Sequence, residues 1–130
     1  MTPALPDDKK PLGDFGERQA TAHLLAKGYR IVDRKFRLRE TEIDLVAIDR
    51  DQAVFVEVRT RRGAYPGMAA LSITRTKAKK MLNAVQFYLE RHPDVAEMPL
   101  RIDVVAIELA ADGTLSRVHH IEDAVRPDRG

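Results

Sequence analysis

The alternation of apolar and polar positions divides the chain into helical and strand segments. In GDFGERQATAHLLAKGYRIV, Phe15, Ala22, Leu25 and Ala26 form an apolar stripe at helical spacing. Asp14 is expected to cap this helix, Glu17 stands in capping-box position, and Gly28 supplies its stop. YRIVDRKFR reads as a first, weakly alternating strand. TEIDLVAID and AVFVEVRTR are stronger ones, and the polar DRDQ between them predicts an antiparallel hairpin. Gly63, Pro66 and Gly67 make GAYPGMAA a loop. A second helix is predicted from about Thr74 to about Arg91, where Ala78, Met81, Leu82, Val85, Tyr88 and Leu89 recur at helical spacing. LRIDVVAIEL is almost continuously apolar, as a strand buried on both faces is. Asp112-Gly113 then turns the chain into a last strand, TLSRVHHIE.

The predicted order is α-β-β-β-α-β-β, an α/β fold with a mixed five-stranded sheet flanked by helices. The connection through the second helix is long enough for a right-handed crossover between parallel strands. One domain over residues 13–125 is expected, with flexible tails at 1–12 and 126–130. The absence of cysteine excludes disulfides, thiolate zinc sites and cysteine nucleophiles. The first residues hold no apolar run and no later stretch reaches transmembrane length, so a soluble cytoplasmic protein is expected, with no membrane partner.

A net charge of +2 hides a segregation. Between Arg59 and Lys80 stand seven basic residues (Arg59, Arg61, Arg62, Arg75, Lys77, Lys79, Lys80) and no acidic one. Arg30, Arg34, Lys35, Arg37 and Arg39 form a second basic cluster. This distribution suits a polyanion such as nucleic acid, with a solvated basic face as the plainer alternative. The chain has only three tyrosines, four phenylalanines and no tryptophan, which argues against a base-stacking platform.

Glu57 interrupts the apolar run VFVEV. Burying an unpaired carboxylate costs several kcal/mol, roughly, so a partner or a metal is expected beside it. Strand alternation places Phe55, Glu57 and Arg59 on one face, and Glu42, Asp44 and Val46 on one face of the preceding strand. Paired through the short turn, Asp44 and Glu57 would lie side by side and repel unless a cation such as Mg2+ or Mn2+ sat between them. An ion pair of Glu57 with Arg59 or Arg61 is the alternative. Asp103, inside RIDVV, is expected to pair with a basic neighbour. His119 and His120 are adjacent and so point to opposite faces, a poor arrangement for shared metal ligation.

The pattern Asp44, twelve residues, Glu57-Val58-Arg59 resembles the PD-(D/E)xK nuclease superfamily. The blocks GDFGERQA, Gly28-Tyr29, TEIDLVAID, VFVEVRTR, KAKKMLNAVQFYL and RIDVVAI, from about 13 to 109, resemble the bacterial YraN-like family, itself similar to archaeal Holliday-junction resolvases. The resemblance implies a restriction-endonuclease-like core and Mg2+- or Mn2+-dependent cleavage of DNA, branched substrates included, by a homodimer. Asp44 and Glu57 match the metal-binding carboxylates, the carbonyl of Val58 a further ligand, and Glu17 the helix glutamate that supports the site. Arg61, Arg62, Arg75, Lys77 and Lys80 would hold the nucleic acid. Two positions depart from the pattern. Thr41 stands where the family usually has glycine, and Arg59 stands where the superfamily has lysine. Arginine can stabilise developing negative charge but stays protonated, with a pKa above about 12, so it cannot act as a base. That departure keeps a nuclease-fold DNA-binding module without efficient catalysis in view, and a protein-interaction adaptor behind it.

Overall fold

The computed structural model describes residues 9–63 and 73–125. Helix α1 spans Lys9–Ala26, and strands β1 (Arg30–Leu38), β2 (Thr41–Asp49) and β3 (Gln52–Arg62) follow. Next come α2 (Arg75–Arg91), the single turn α3 (Pro93–Ala96), β4 (Leu100–Leu109) and β5 (Leu115–Ile121). The strands form one sheet in the order β1-β2-β3-β4-β5. Only the β3–β4 pair is parallel. The mixed five-stranded α/β architecture expected from the sequence is therefore present. No described helix is long and apolar enough to cross a membrane. Of the tails expected at 1–12 and 126–130, residues 1–8 and 126–130 lie outside the described residues, as does most of the expected GAYPGMAA loop, whereas residues 9–12 are not a tail but the first turn of α1.

Each sheet face carries its own core. Met81, Ala84, Val85 and Tyr88 of α2 pack on Ile43, Val46, Phe55 and Ile102. Ala20 and Leu24 of α1 pack on Leu45, Val54, Val56, Val105 and Ile107. The alternation of Val54, Phe55 and Val56 between the two clusters is the period-two pattern of a strand covered on both sides. Thr74 caps α2, its hydroxyl accepting the Lys77 N–H at 3.0 Å. The single turn α3, with Pro93 at its start, is too short to leave a periodic signal.

Helix α1 departs from the expected pattern in two ways. It begins at Lys9, so Asp14 lies inside it and is no N-cap; its carboxylate instead accepts from Lys35 Nζ at 3.2 Å. Leu12 and Phe15 both pack against the α1-side core, which extends the helix towards the N-terminus. The buried stripe is Gly16, Ala20 and Leu24, whereas Ala22, Leu25 and Ala26 face solvent. Small side chains fix this rotation, because they let the helix backbone approach β3. A Cβ at Gly16 would collide with Thr60 Oγ1. Gly16→Ala is therefore expected to destabilise the fold by about 1–3 kcal/mol, with partial recovery when Thr60 is also replaced by Ala. Thermal denaturation of the single and double variants tests this, and an unchanged Tm for Gly16→Ala would refute the close approach.

Strand β2 also breaks its alternation. Leu45 and Ala47 face α1 while Val46 and Ile48 face α2, yet Ile43 packs with the α2 cluster. Strict alternation would put Ile43 and Leu45 on one face; they instead pack in opposite cores, so the strand changes course at Asp44. The β2–β3 register runs from Asp49↔Gln52 to Leu45↔Val56, whereas the β3–β4 register continues to Arg62↔Leu109. The sheet forks where β2 leaves β3.

Candidate metal centre at the strand fork

Asp44 stands at the fork. Its Oδ2 accepts the Val58 N–H at 2.7 Å, so a side chain takes up a backbone donor on the flank of β3 that β2 leaves. Glu42, two residues earlier on β2, and Glu17, from α1, bring carboxylate oxygens to within 4.8 Å of one another and of Asp44. The three line a cavity of about 420 Å3 together with Gly13, Asp14, Lys35, Arg37 and Val58. Arg37 pairs with Glu42 at 3.1 Å. Burial, and then the negative charge of Glu57, push the Asp44 carboxyl up to about 8 against the lowering influence of the Val58 N–H. Burial also raises Glu17, with Lys35 opposing it. An all-oxygen donor set of three carboxylates, without sulfur or imidazole, fits a hard divalent cation such as Mg2+ or Mn2+.

Glu57 stands outside this close group. It is 5% exposed, and its oxygens lie 3.6 Å from Lys77 Nζ and 3.7 Å from Arg59 Nη1. Burial raises its pKa, while Lys77 and then Arg59 draw it back down. The ion pair with Arg59, which the sequence reading held as the alternative to a metal, is present, joined by a lysine from the first turn of α2. Glu57 is still near enough to act on Asp44 through its charge. The structure thus brings carboxylate oxygens of Glu17 and Asp44 to within 4.8 Å and keeps Glu57 beside them in the hold of Lys77 and Arg59.

The model of the uncharacterised protein family UPF0102 matches residues 16–107, from Gly16 through the fork and into β4. The chain belongs to this family. A UPF0102 protein of Roseiflexus castenholzii is 44% identical over 114 residues, 88% of this chain and 92% of its own. One from Chloroflexus aurantiacus is 40% identical over 124 residues, covering 95% of this chain and all of the relative. One from Clostridioides difficile is 33% identical over 117 residues, 90% of this chain and 98% of its own. The YraN-like resemblance carried by the six sequence blocks is borne out. Among solved structures, Pyrococcus furiosus SfsA in complex with Ca2+ is similar at a TM-score of 0.42 and 16% identity, over 94% of this chain and 67% of that one.

The remaining site residues of this UPF0102 chain fall in different places. Arg59 and Arg61 line a second cavity next to the first. Arg62 donates from Nε to the Ala111 carbonyl at 3.1 Å. Arg75 and Lys80 are exposed on α2, Lys80 within 3.7 Å of Glu40. Lys77 is turned to Glu57. Glu42 had no site role in the sequence reading, although its place two residues from Asp44 on one strand was the signal for it. Asp103, as expected, pairs with a basic neighbour: Arg101 donates to it from Nε at 2.9 Å and from Nη2 at 3.1 Å. His120 Nε2 lies 2.7 Å from Asp103 Oδ2, the oxygen that also accepts from Arg101 Nη2. This network occupies the end of the sheet where β2 finishes and β3 and β4 begin, remote from the fork.

Proposed function

We propose that this UPF0102 protein is a Mg2+- or Mn2+-dependent endonuclease acting on DNA, with branched, Holliday-junction-like DNA the first substrate to test. The observation that carries this reading is the convergence of Glu17, Glu42 and Asp44 in one cavity whose lining also includes Lys35 and Arg37. Three carboxylates at such distances repel one another, and a divalent cation relieves that repulsion. Asp44, Glu42 and Glu17 would hold it, with the Val58 carbonyl as a further ligand and Glu57 as the fourth carboxylate within Coulombic reach. A cation bound there would offset phosphate charge and acidify a nearby water. Lys35 and Arg37 orient the phosphate, while Arg59 stays protonated and offsets charge that develops on its oxygens. Cutting two strands of a junction symmetrically needs two such sites, so a homodimer goes with this reading.

The test is cleavage of labelled duplex, single-stranded, flap and four-way-junction DNA in Mg2+, Mn2+ or EDTA. Cutting is expected in Mg2+ or Mn2+ and is expected to vanish in EDTA. Binding without cutting in any metal would overturn the enzyme and favour a DNA-binding module. The pairing of Glu57 with Arg59 and Lys77 favours that second reading, because it already neutralises one of the four carboxylates. Arg59→Lys is then the variant to measure. Failure to bind any DNA would leave an adaptor for an acidic protein.

A further inference from the structure

Past Val58 the fork opens onto the second cavity, about 360 Å3, lined by Leu12, Gly13, Val58, Arg59, Thr60 and Arg61. It shares Gly13 and Val58 with the carboxylate cavity. The two therefore adjoin along the flank of β3 beyond the last β2–β3 register pair. Their charges are opposite. The first is lined by Asp14, Glu17, Glu42 and Asp44 against Lys35 and Arg37, whereas among the described residues the charged groups lining the second are Arg59 and Arg61. Arg61 donates from Nη1 to the Thr60 carbonyl at 3.0 Å, and a guanidinium carries further N–H donors in the same plane, suited to two oxygens of one anion. Burial, and then the charge of Arg59, lower the pKa of Arg61, so an anion there would relieve crowded positive charge.

We propose that the second cavity is a phosphate subsite: a nucleic-acid strand lies along this flank of β3, its scissile phosphate between the carboxylates and Arg59 and the adjacent phosphate at Arg61. The proposal rests on the phosphodiesterase reading and deepens it by naming the substrate class, a chain with at least two consecutive phosphates. The two subsites differ in what they need. Carboxylates repel a phosphate until a cation is bound, whereas the basic cavity attracts one without metal. Binding to the second cavity therefore persists in EDTA and weakens with added salt.

The experiment has two arms. In EDTA, polarisation of a fluorescein-labelled oligothymidylate is titrated with wild type, Arg61→Gln and Arg61→Lys. Arg61→Gln is expected to weaken binding about tenfold, the scale of one charge-assisted hydrogen bond, and Arg61→Lys to restore part of it. In Mn2+, hydrolysis of a thymidine trinucleotide is compared with that of bis(4-nitrophenyl) phosphate, which has a single phosphate. The kcat/KM preference for the trinucleotide is expected to fall about tenfold in Arg61→Gln, again the worth of that bond. Unchanged affinity together with unchanged preference would overturn the subsite. Lost affinity in Arg61→Gln, with no hydrolysis by wild type, would uphold the subsite and sink the nuclease reading instead.

Discussion

Asp44→Asn is expected to remove DNA cleavage while making the folded protein more stable at pH 8. The loss of activity should be about a hundred- to a thousandfold, the scale of deleting one preorganised group that handles developing charge. The stability gain follows from linkage. The Asp44 carboxyl, ordinarily near 3.8, is pushed to about 8 in the fold, by burial first and by Glu57 second. A raised carboxylate pKa means that the folded state binds a proton more tightly than the unfolded chain. Stability therefore falls as pH climbs from about 3.8 to about 8, where the ionised group has to be accommodated. Asparagine carries no charge and still offers an oxygen to the Val58 N–H, so this decline should flatten. The gain at pH 8 should be about 2 kcal/mol, well under the full linkage value because the cavity opens to solvent. Alanine is a poorer choice, since it strands the Val58 donor. Thermal melts at pH 5 and pH 8 test the stability claim; a lower Tm for Asp44→Asn at pH 8 would contradict it. Added Mg2+ should raise the Tm of wild type more than that of the variant.

Such a trade of stability for function is physically coherent at the fork. Asp44 and Glu57 both face burial, but they are relieved differently. Glu57 has Lys77 and Arg59 within ion-pair distance, and Asp44 has Glu42 and Glu17 for neighbours. The protein supplies ion-pair partners for one carboxylate and surrounds the other with further carboxylates, the arrangement on which the proposed cation site rests. Arg59 suits the first task because it holds its proton at any working pH.

The sequence made the sheet legible because two of its strands are buried on both faces and two more end in strong turn signals. The β2–β3 turn needed only Arg50, in a left-handed conformation, and Asp51. The rotation of α1 was not legible. Gly16 and Ala20 carry weak hydrophobic signals, yet they decide which face meets the sheet because contact there is limited by size. The fork was hidden for a related reason. Alternation presumes an uninterrupted strand, and nothing in TEIDLVAID marks the point where β2 stops pairing with β3. Asp44 itself could be found from its acidic character amid apolar neighbours. That Glu42 and Glu17 gather with it depends on the fork and on the depth to which α1 settles.

Asp103→Ala is the substitution expected to cost the most stability, about 3–5 kcal/mol, by leaving buried cationic and polar groups without their partner. Asp103 is fully buried and accepts from Arg101, His120 and the Asp123 N–H. Arg101, with a side chain only 12% exposed, also donates to Tyr29 at 2.6 Å and Gln52 at 2.8 Å and lies 3.3 Å from Asp49. Removing the carboxylate therefore loosens the joint between β2, β3, β4 and β5 at the end of the sheet away from the fork. Burial alone would raise the Asp103 carboxyl, but the bonds from His120, Arg101 and Asp123 outweigh it and hold the group below its ordinary 3.8. A lowered carboxylate pKa contributes stability that is complete above 3.8 and is lost as pH falls through the folded-state value. Urea unfolding at pH 7 and at pH 3 should thus show the gap between wild type and Asp103→Ala narrowing at the lower pH. A gap that stays constant would mean that the carboxylate holds the joint by shape rather than by charge. At pH 7 the folded Asp103→Ala protein should keep its metal response at the fork, because the two networks share no residue, and loss of that response would show them to be coupled through the sheet.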